Sequence, residues 1–284
     1  MKRLLATGAL VVLYLSSVSA QTTPLAVLEK MGETYSKIEA MSCSFTLTMG
    51  LPGMPAMSIP TEMKMQRPNL FRTEVAGAVS VSDGTHLYVY LPMLEMYQKL
   101  PAPVGVDFRG ATSGPLGDFS SQGDLMGRLL NADNAAALAQ LAQGAEMKGE
   151  ENVSGVLCHR FAVDIATGVR ADLWVDKDKY LLRKMQMDML ELLKMMKETM
   201  GPEGAMFAPL MQGVQPGQMM LVQEYTKYDL APKFAEDTFR FTPPPGAREG
   251  DLTKMAAEAM KGAAGAPAGA SPPIQPKSMA PVDY

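Results

Sequence analysis

The chain has 284 residues, with 26 Lys and Arg against 30 Asp and Glu, so its formal net charge is −4. Hydrophobic residues make up 47% of the sequence, which is enough to build a sizeable core. A mildly acidic chain without a basic cluster is a poor candidate for binding nucleic acid, so that class of function is excluded first.

The first 20 residues have the pattern of a secretory signal peptide. A basic start is followed by an apolar run from Leu4 to Leu15 and by small residues up to Ala20. The apolar run is shorter than the roughly 20 residues that a membrane-spanning helix needs. We therefore expect export to the periplasm and cleavage after Ala20. Removing 20 residues leaves 264, and the loss of two basic residues makes the net charge −6.

One amphipathic helix is predicted before the strands begin. Thr23 can cap a helix that starts at Pro24, and apolar residues then recur at spacings of three and four up to Ala40. Residues 42–49 and 61–66 alternate between apolar and polar side chains, which is typical of half-buried strands. The proline-containing segment 51–60 between them is predicted to be a loop.

The next segment predicts a series of short antiparallel strands. Arg67-Pro68 disfavours helix, and Asp83-Gly84 is typical of a hairpin turn. In the strand after that turn, an aliphatic face alternates with an aromatic face. The predicted strands are 70–75, 79–82, 87–91 and 96–100. Residues 101–122 are rich in Gly, Pro and Ser and indicate a long connection.

The second half of the chain predicts two short helices and then further strands. The helices are expected at 124–131 and 134–141. The strands are expected at 145–152, 156–165, 170–176, 180–189, 219–229 and 238–241. Residues 190–218 form a Met-rich insertion within a hairpin. Pro243 to Gly246 should end the domain, and residues 251–284 are predicted to be a flexible tail rich in Ala, Gly and Pro.

These elements predict one mainly β domain over residues 21–250, with about nine to eleven antiparallel strands. A sheet of that size tends to curl, so helices on its concave side would cover either a packed core or an apolar pocket. The 25 Met residues, against 9 Phe and 1 Trp, suit an adaptable apolar site. They equally suit an ordinary core in which Met replaces Leu, and composition does not separate the two.

Four motifs occur in a characteristic order along the chain. They are RPNLF at 67–71, SDG at 82–84, ADLWVD at 171–176 and FRFTPP at 239–244. In this order they resemble the periplasmic outer-membrane lipoprotein carriers of the LolA type. The resemblance implies an incomplete antiparallel β-barrel with a helical lid over an apolar cavity. It also implies transport of lipoprotein acyl chains from an inner-membrane ABC exporter to an outer-membrane acceptor.

The resemblance places Arg67 at the arginine that hydrogen-bonds the lid and holds the empty cavity closed. The alternative is a solvated turn residue before proline. We expect acyl chains to contact apolar side chains of the sheet and of the two short helices. These residues are Phe71, Leu87, Val89, Leu173, Met185, Met187, Leu125 and Leu129. The alternative function is a non-carrier periplasmic β domain that binds a protein partner or senses the state of the envelope.

Two cysteines, Cys43 and Cys158, lie in predicted strands of an exported chain. A disulfide between them is possible, and two buried thiols are the alternative. The histidines are His86 and His159. Because Cys158 and His159 are adjacent in a strand, their side chains point to opposite faces and cannot act as a catalytic pair.

The sequence holds no nucleophile elbow, phosphate-binding loop or zinc-protease helix, so we predict that the protein is not an enzyme and needs no cofactor. Met185, Met187 and Met189 alternate along a predicted strand and could offer thioethers to Cu(I). An apolar lining explains the same pattern, and we predict no metal site.

Overall fold

The computed structural model describes residues 22–50, 52–53, 55–75, 77–103, 125–130, 134–166, 168–199, 204 and 208–252. The predicted signal peptide, the tail beyond residue 252 and most of the connection before the two short helices lie outside these residues. The described part is mainly β, with a leading helix and few other helices. The fold class predicted from the sequence is therefore confirmed.

The helices are short apart from the first. They are α1 (Pro24–Ser36), α2 (Leu125–Leu130), α3 (Asn134–Ala142), α4 (Met189–Thr199) and α5 (Ala208–Met211), with a 3-10 turn at Pro92–Leu94. The first strands are β1 (Ala40–Met49), β2 (Met57–Gln66), β3 (Leu70–Val75), β4 (Ala78–Asp83), β5 (His86–Leu91) and β6 (Met96–Pro101). The later strands are β7 (Glu146–Val153), β8 (Val156–Ala166), β9 (Val169–Asp176), β10 (Leu182–Asp188), β11 (Met220–Asp229) and β12 (Arg248–Glu249).

These strands form one open, curved sheet of twelve strands within the described residues, in the order β12-β6-β5-β4-β3-β2-β1-β11-β10-β9-β8-β7. All neighbours are antiparallel except β12, which runs parallel to β6. β1 and β11 join the two halves of the sheet through eight paired positions. The chain therefore folds as two meanders that share one continuous inner face.

Local signals explain where the elements begin. The Thr23 hydroxyl accepts a hydrogen bond from the Ala26 amide at 3.2 Å, and Pro24 occupies the first turn of α1. At the turn between β4 and β5, the Asp83 carboxylate accepts bonds from the amides of Thr85 and His86. Gly84 has a φ of 90°, which a residue with a side chain rarely adopts. The predicted hairpin at Asp83-Gly84 is thus present.

The inner face carries the core, and α1, α2 and α3 pack against it. Apolar residues of β1, β2, β3, β5, β8, β9 and β10 form one buried cluster with residues of these helices. We call the sheet surface in this cluster the inner face. On the opposite surface, Trp174 and Cys158 form a smaller buried cluster with Val153.

Two predicted boundaries are wrong. Residues 238–241, predicted to be a closing strand, belong to no strand and partly overlap a turn at 236–239, and β12 follows the prolines that were expected to end the domain. β2 begins at Met57 rather than Thr61, so part of the predicted loop is strand. Pro60 pairs with Thr46 of β1, whereas β3 pairs with β2 only from Thr61 onward. Among the described residues, no β3 residue pairs with Pro60, and proline is tolerated at such a strand edge because it has no N–H to donate.

Candidate functional site

The structure brings the eight predicted contact residues together in one buried cluster. They come from both halves of the sheet and from α2. Their exposed fractions run from 0% for Phe71, Leu129 and Leu173 to 6% for Val89. The sheet and the helices therefore share these residues as a common apolar interface.

Strand register explains why these side chains meet. Phe71 on β3 lies opposite Met65 on β2, and both are fully buried. On the other half of the sheet, Met185 on β10 lies opposite Leu173 on β9. Directly opposite residues of antiparallel strands share a face, so each pair adds to the same apolar surface. Alternation in the sequence was sufficient to predict this arrangement.

Three helices cover the inner face. α1 buries Val27, Leu28 and Met31 against it, and α3 packs along α1 and α2. α2 has six residues and α3 has nine. Isolated helices shorter than about 12 residues are marginal in water, so these two depend on packing for their stability. Leu129 and Leu130 of α2 and Leu141 of α3 supply this packing, with exposed fractions of 0–2%.

Arg67 links two of the helices to the start of β3. Its Nε donates to the Ile38 carbonyl at 2.8 Å, and one terminal nitrogen donates to the Tyr35 carbonyl at 3.3 Å. The same nitrogen donates to the Leu130 carbonyl at 2.8 Å. Tyr35 and Ile38 lie at the carboxyl end of α1, and Leu130 is the last residue of α2. Free carbonyls at helix ends are natural acceptors for a guanidinium group.

Tyr35 anchors α1 to the opposite half of the sheet. Its buried hydroxyl accepts a hydrogen bond from the Leu182 amide at 3.1 Å and lies 3.4 Å from the Tyr228 hydroxyl. The Tyr228 hydroxyl donates to the Leu182 carbonyl at 2.6 Å. Burial raises the pKa of Tyr35 to about 12, so the hydroxyl stays protonated at physiological pH. α1 is thus fixed at both halves of the sheet.

Sequence reasoning missed a set of buried hydroxyl groups on the inner face. Thr61, Thr73, Ser80 and Ser82 have exposed fractions between 0% and 7%. They lie on the same face as Phe71, because Thr73 pairs with Ser80 and Phe71 pairs with Ser82 across β3 and β4. The alternation in 61–66, 70–75 and 79–82 was the signal that could have placed them.

The possible disulfide between Cys43 and Cys158 is not formed, and both thiols are free and buried. Cys43 belongs to the inner-face cluster, whereas Cys158 packs on the opposite surface beside Trp174. β1 and β8 are also four strand positions apart, or about 19 Å at ordinary strand spacing. A disulfide requires Cα atoms within about 7 Å.

His159 lies on the inner side of β8 with an exposed fraction of 6%, on the face opposite Cys158. Its Nδ1 is 3.9 Å from a Glu150 carboxylate oxygen. Burial lowers the pKa of His159 below its ordinary value of 6.5, and nearby Lys177 acts in the same direction. This histidine is therefore neutral at physiological pH.

The described residues contain no group of three or more His, Cys, Asp or Glu side chains that could hold a metal ion. The alternative copper site needed Met185, Met187 and Met189 on one strand face. Met189 instead starts α4 and packs in a separate cluster with Leu193 and Met219. The three thioethers therefore do not lie together on one strand face.

The insertion at 190–218 connects β10 to β11, which form a hairpin. β10 and β11 pair directly, and the Met189 amide donates to the Met219 carbonyl at 2.7 Å. Leu193 of α4 is buried against Met219, so this part of the insertion has its own small core. Within the described part of the chain, no helix has the length and apolar character to cross a membrane.

Residues 25–199 match the model of the family described as "Predicted periplasmic protein (DUF2092)". The comparison with curated proteins gives no match to this chain.

Several solved structures are similar at low identity. An uncharacterized conserved protein from Thermus thermophilus is 8% identical with a TM-score of 0.42, and the match covers 79% of this chain and 96% of that one. A LolA superfamily protein from Nitrosomonas europaea is 10% identical with a TM-score of 0.33, covering 78% and 98%. LprF from Mycobacterium bovis is 11% identical with a TM-score of 0.38, covering 79% and 97%.

Proposed function

We propose that this chain, which belongs to the DUF2092 family of predicted periplasmic proteins, is a carrier of acyl chains. The mature protein, starting after Ala20, binds the acyl chains of lipoproteins or of other lipids between its inner face and α2 and α3. It carries them toward the outer membrane. No catalytic step and no cofactor form part of the proposal.

One observation supports this proposal most. The buried apolar residues of the inner face form one cluster that extends over both halves of the sheet, and the cover of this face includes two helices too short to be stable alone. A ligand that supplies apolar contacts in place of the helix residues can therefore take their position. The order of the RPNLF, SDG and FRFTPP motifs, which resembles the lipoprotein carriers, supports the same function.

The free energy of burying an alkyl chain favours displacement of α2 from the inner face. Burying one CH₂ group contributes about 0.8 kcal/mol, so ten buried groups contribute about 8 kcal/mol. Among the described contacts, the polar link between Arg67 and α2 is one charge-assisted hydrogen bond, to the Leu130 carbonyl. Such a bond contributes about 1.5–3 kcal/mol. The acyl chain therefore outweighs this polar contact, while the apolar contacts of Leu125 and Leu129 are exchanged for contacts with the ligand.

Transfer needs a donor and an acceptor. By the resemblance, an inner-membrane ABC exporter supplies the acylated cargo and an outer-membrane acceptor receives it. Arg67 closes α2 over the empty face after release, since its hydrogen bonds join α2 to α1. Closure would shield the inner face from water between the two encounters.

Native mass spectrometry of mature protein purified without detergent tests this function. The proposal predicts a co-purifying lipid mass, or a one-to-one complex when a synthetic triacylated lipopeptide is added. A fluorescent acyl probe should be displaced by the same lipopeptide. An apo mass alone, with no probe binding at saturating concentration, would contradict the carrier function and favour a domain that binds a protein partner.

A further inference from the structure

Four hydroxyl side chains form a polar area on the otherwise apolar inner face. We call Thr61, Thr73, Ser80 and Ser82 the hydroxyl patch. Thr73 of β3 lies directly opposite Ser80 of β4. Other buried polar groups of the described residues, such as the His159 side chain and the Tyr35 hydroxyl, lie on the other half of the sheet or on α1. The four hydroxyls of the patch all come from the neighbouring strands β2, β3 and β4.

Ser82 is the member of the patch whose hydrogen-bonding capacity is unused. Its exposed fraction is 0%, and its Oγ has no hydrogen-bond partner in the described structure. It is flanked by Phe71 on β3 and Leu87 on β5, which lie directly opposite it. The Thr61 hydroxyl makes a bond of 3.5 Å to the Ile59 carbonyl, at the outer limit for a hydrogen bond.

A buried hydroxyl without a partner lowers stability, so each such group calls for an explanation. An aliphatic residue at position 82 would complete the apolar face between Phe71 and Leu87 without that cost. The hydroxyl also lies among residues that the proposed function assigns to acyl chains. A ligand acceptor that enters with the acyl chain would give Ser82 the partner that the closed protein lacks.

We propose that the hydroxyl patch binds the carbonyl group that links an acyl chain to the rest of its lipid, with the Ser82 hydroxyl as donor. This inference rests on the proposed carrier function. The patch consists of neutral hydroxyl groups, so it suits an ester or amide carbonyl. Burying the free carboxylate of a fatty acid there would cost far more. The ligand class is therefore an ester- or amide-linked acyl lipid, and not a free fatty acid.

The test compares two phosphatidylglycerols with equal chains, one ester-linked and one ether-linked, bound to the mature protein. The ether lipid keeps the chains and the headgroup but lacks the carbonyl. Competition against a fluorescent acyl probe gives both affinities. One neutral hydrogen bond corresponds to about a two- to tenfold preference for the ester lipid in the unmodified protein.

Two variants of Ser82 make the test specific. Ser82→Ala should reduce the ester preference to about one while leaving the affinity for the ether lipid unchanged, and Ser82→Thr should retain the preference. Ser42→Ala, on the opposite surface of β1, is the matched control and should behave like the unmodified protein. The melting temperature of Ser82→Ala should be equal or higher, because an unpaired buried hydroxyl is removed.

The outcomes separate the inference from the function on which it rests. Equal binding of ester and ether lipids by the unmodified protein, or an ester preference that survives in Ser82→Ala, would overturn the role of the patch if Ser82→Ala also leaves the affinity for a triacylated lipopeptide unchanged, and the carrier function would still stand. Binding of neither lipid, nor of a triacylated lipopeptide, would overturn both. A Ser82 effect on the lipopeptide but not on phosphatidylglycerol would identify a lipoprotein as the source of the carbonyl.

Discussion

Arg67 joins the carboxyl ends of α1 and α2 through its guanidinium group. It is partly buried, and it donates to three backbone carbonyls at the ends of α1 and α2. A guanidinium group is always charged and holds several acceptors at fixed angles, which a lysine cannot do. In the proposed function, the hydrogen bonds of Arg67 therefore set the free-energy difference between the closed and the open positions of α2 and α3.

Replacing Arg67 by Leu should favour the open form. Loss of the bond to Leu130 removes about 1.5–3 kcal/mol from the closed form, so the affinity for a fluorescent acyl probe should rise about tenfold or more, and release should slow. Hydrogen exchange at the amides of α2 should accelerate. Arg72→Leu is the control, because Arg72 is paired with Glu74 away from the inner face. Unchanged probe affinity and transfer in the Arg67 variant would remove this residue from the mechanism.

His159 makes stability depend on pH in one direction. Its folded-state pKa lies below the ordinary value of 6.5, so the unfolded chain binds the proton more readily than the folded protein. The contribution of neutral His159 to the free energy of unfolding is complete above about pH 6.5 and is lost as the pH falls through the folded-state pKa. The free energy of unfolding, measured with urea between about pH 7.5 and 5.5, should therefore decrease toward the acid end.

His159→Gln should flatten this decrease, because glutamine does not titrate. A His159→Gln variant whose stability falls as steeply with acid as the unmodified protein would show that other groups control this range.

At the scale of elements, the helices over the inner face differ in how firmly they are held. α1 is connected to β10 and β11 through the Tyr35 and Tyr228 hydroxyls and to the other half of the sheet through Arg67. α2 and α3 are short, and the Leu130 carbonyl at the end of α2 accepts a hydrogen bond from Arg67. Opening should therefore move α2 and α3 while α1 stays in place.

The segment after β11 fastens the opposite edge of the sheet. The Phe241 ring lies 5.1 Å from that of Tyr88 and 5.4 Å from that of Tyr97, on the outer surface of β5 and β6. The Arg248 and Gly250 amides then donate to the Glu95 and Tyr97 carbonyls at 2.9 Å, and Leu252 reaches the inner-face cluster. This segment covers a strand edge that would otherwise invite pairing with another chain.

Phe241→Ala should loosen that fastening. A half-buried aromatic ring in contact with other rings contributes about 1–3 kcal/mol, so the free energy of unfolding should fall by that amount. Hydrogen exchange at the Arg248 and Gly250 amides should accelerate, and the protein should self-associate more readily. Leu230→Ala, at an exposed position of the same segment, is the control. Unchanged protection of both amides would show that β12 holds the edge without Phe241.

The sequence was informative where local chemistry decides structure. The Thr23-Pro24 start of α1, the Asp83-Gly84 turn and the alternation around Leu87 each predicted an element that the structure contains. Alternation also placed Phe71 and Leu173 on one face, because the side-chain period of a strand is two. A residue's face follows from its neighbours in sequence, so this part of the candidate site could be predicted.

The wrong predictions concern features that depend on contacts between distant parts of the chain. Residues 238–241 alternate like a strand, but they contact the aromatic face of β5 and β6 through Phe241 instead of joining the sheet. Strand order places Cys43 and Cys158 four strand positions apart, and each lies in a different buried cluster on its own surface of the sheet, which spacing along the chain does not reveal. The unpaired state of Ser82 likewise depends on register between strands.

For the whole molecule, the central feature is one open sheet whose two halves share an apolar face. β7 and β12 form its edges and do not close into a barrel within the described residues. The inner face is therefore covered by α1, α2 and α3, and a cover of separate helices can open without breaking the sheet. The proposed carrier function requires that the cover moves when acyl chains enter.

Distance measurement by electron paramagnetic resonance tests this requirement most directly. Spin labels would be placed at two exposed positions, Gln140 on α3 and Lys227 on β11, while the native thiols stay buried. Adding a triacylated lipopeptide to saturation should lengthen the distance between the labels by several ångströms, on the order of half the width of a helix. An unchanged distance in the lipid-bound protein would contradict the account.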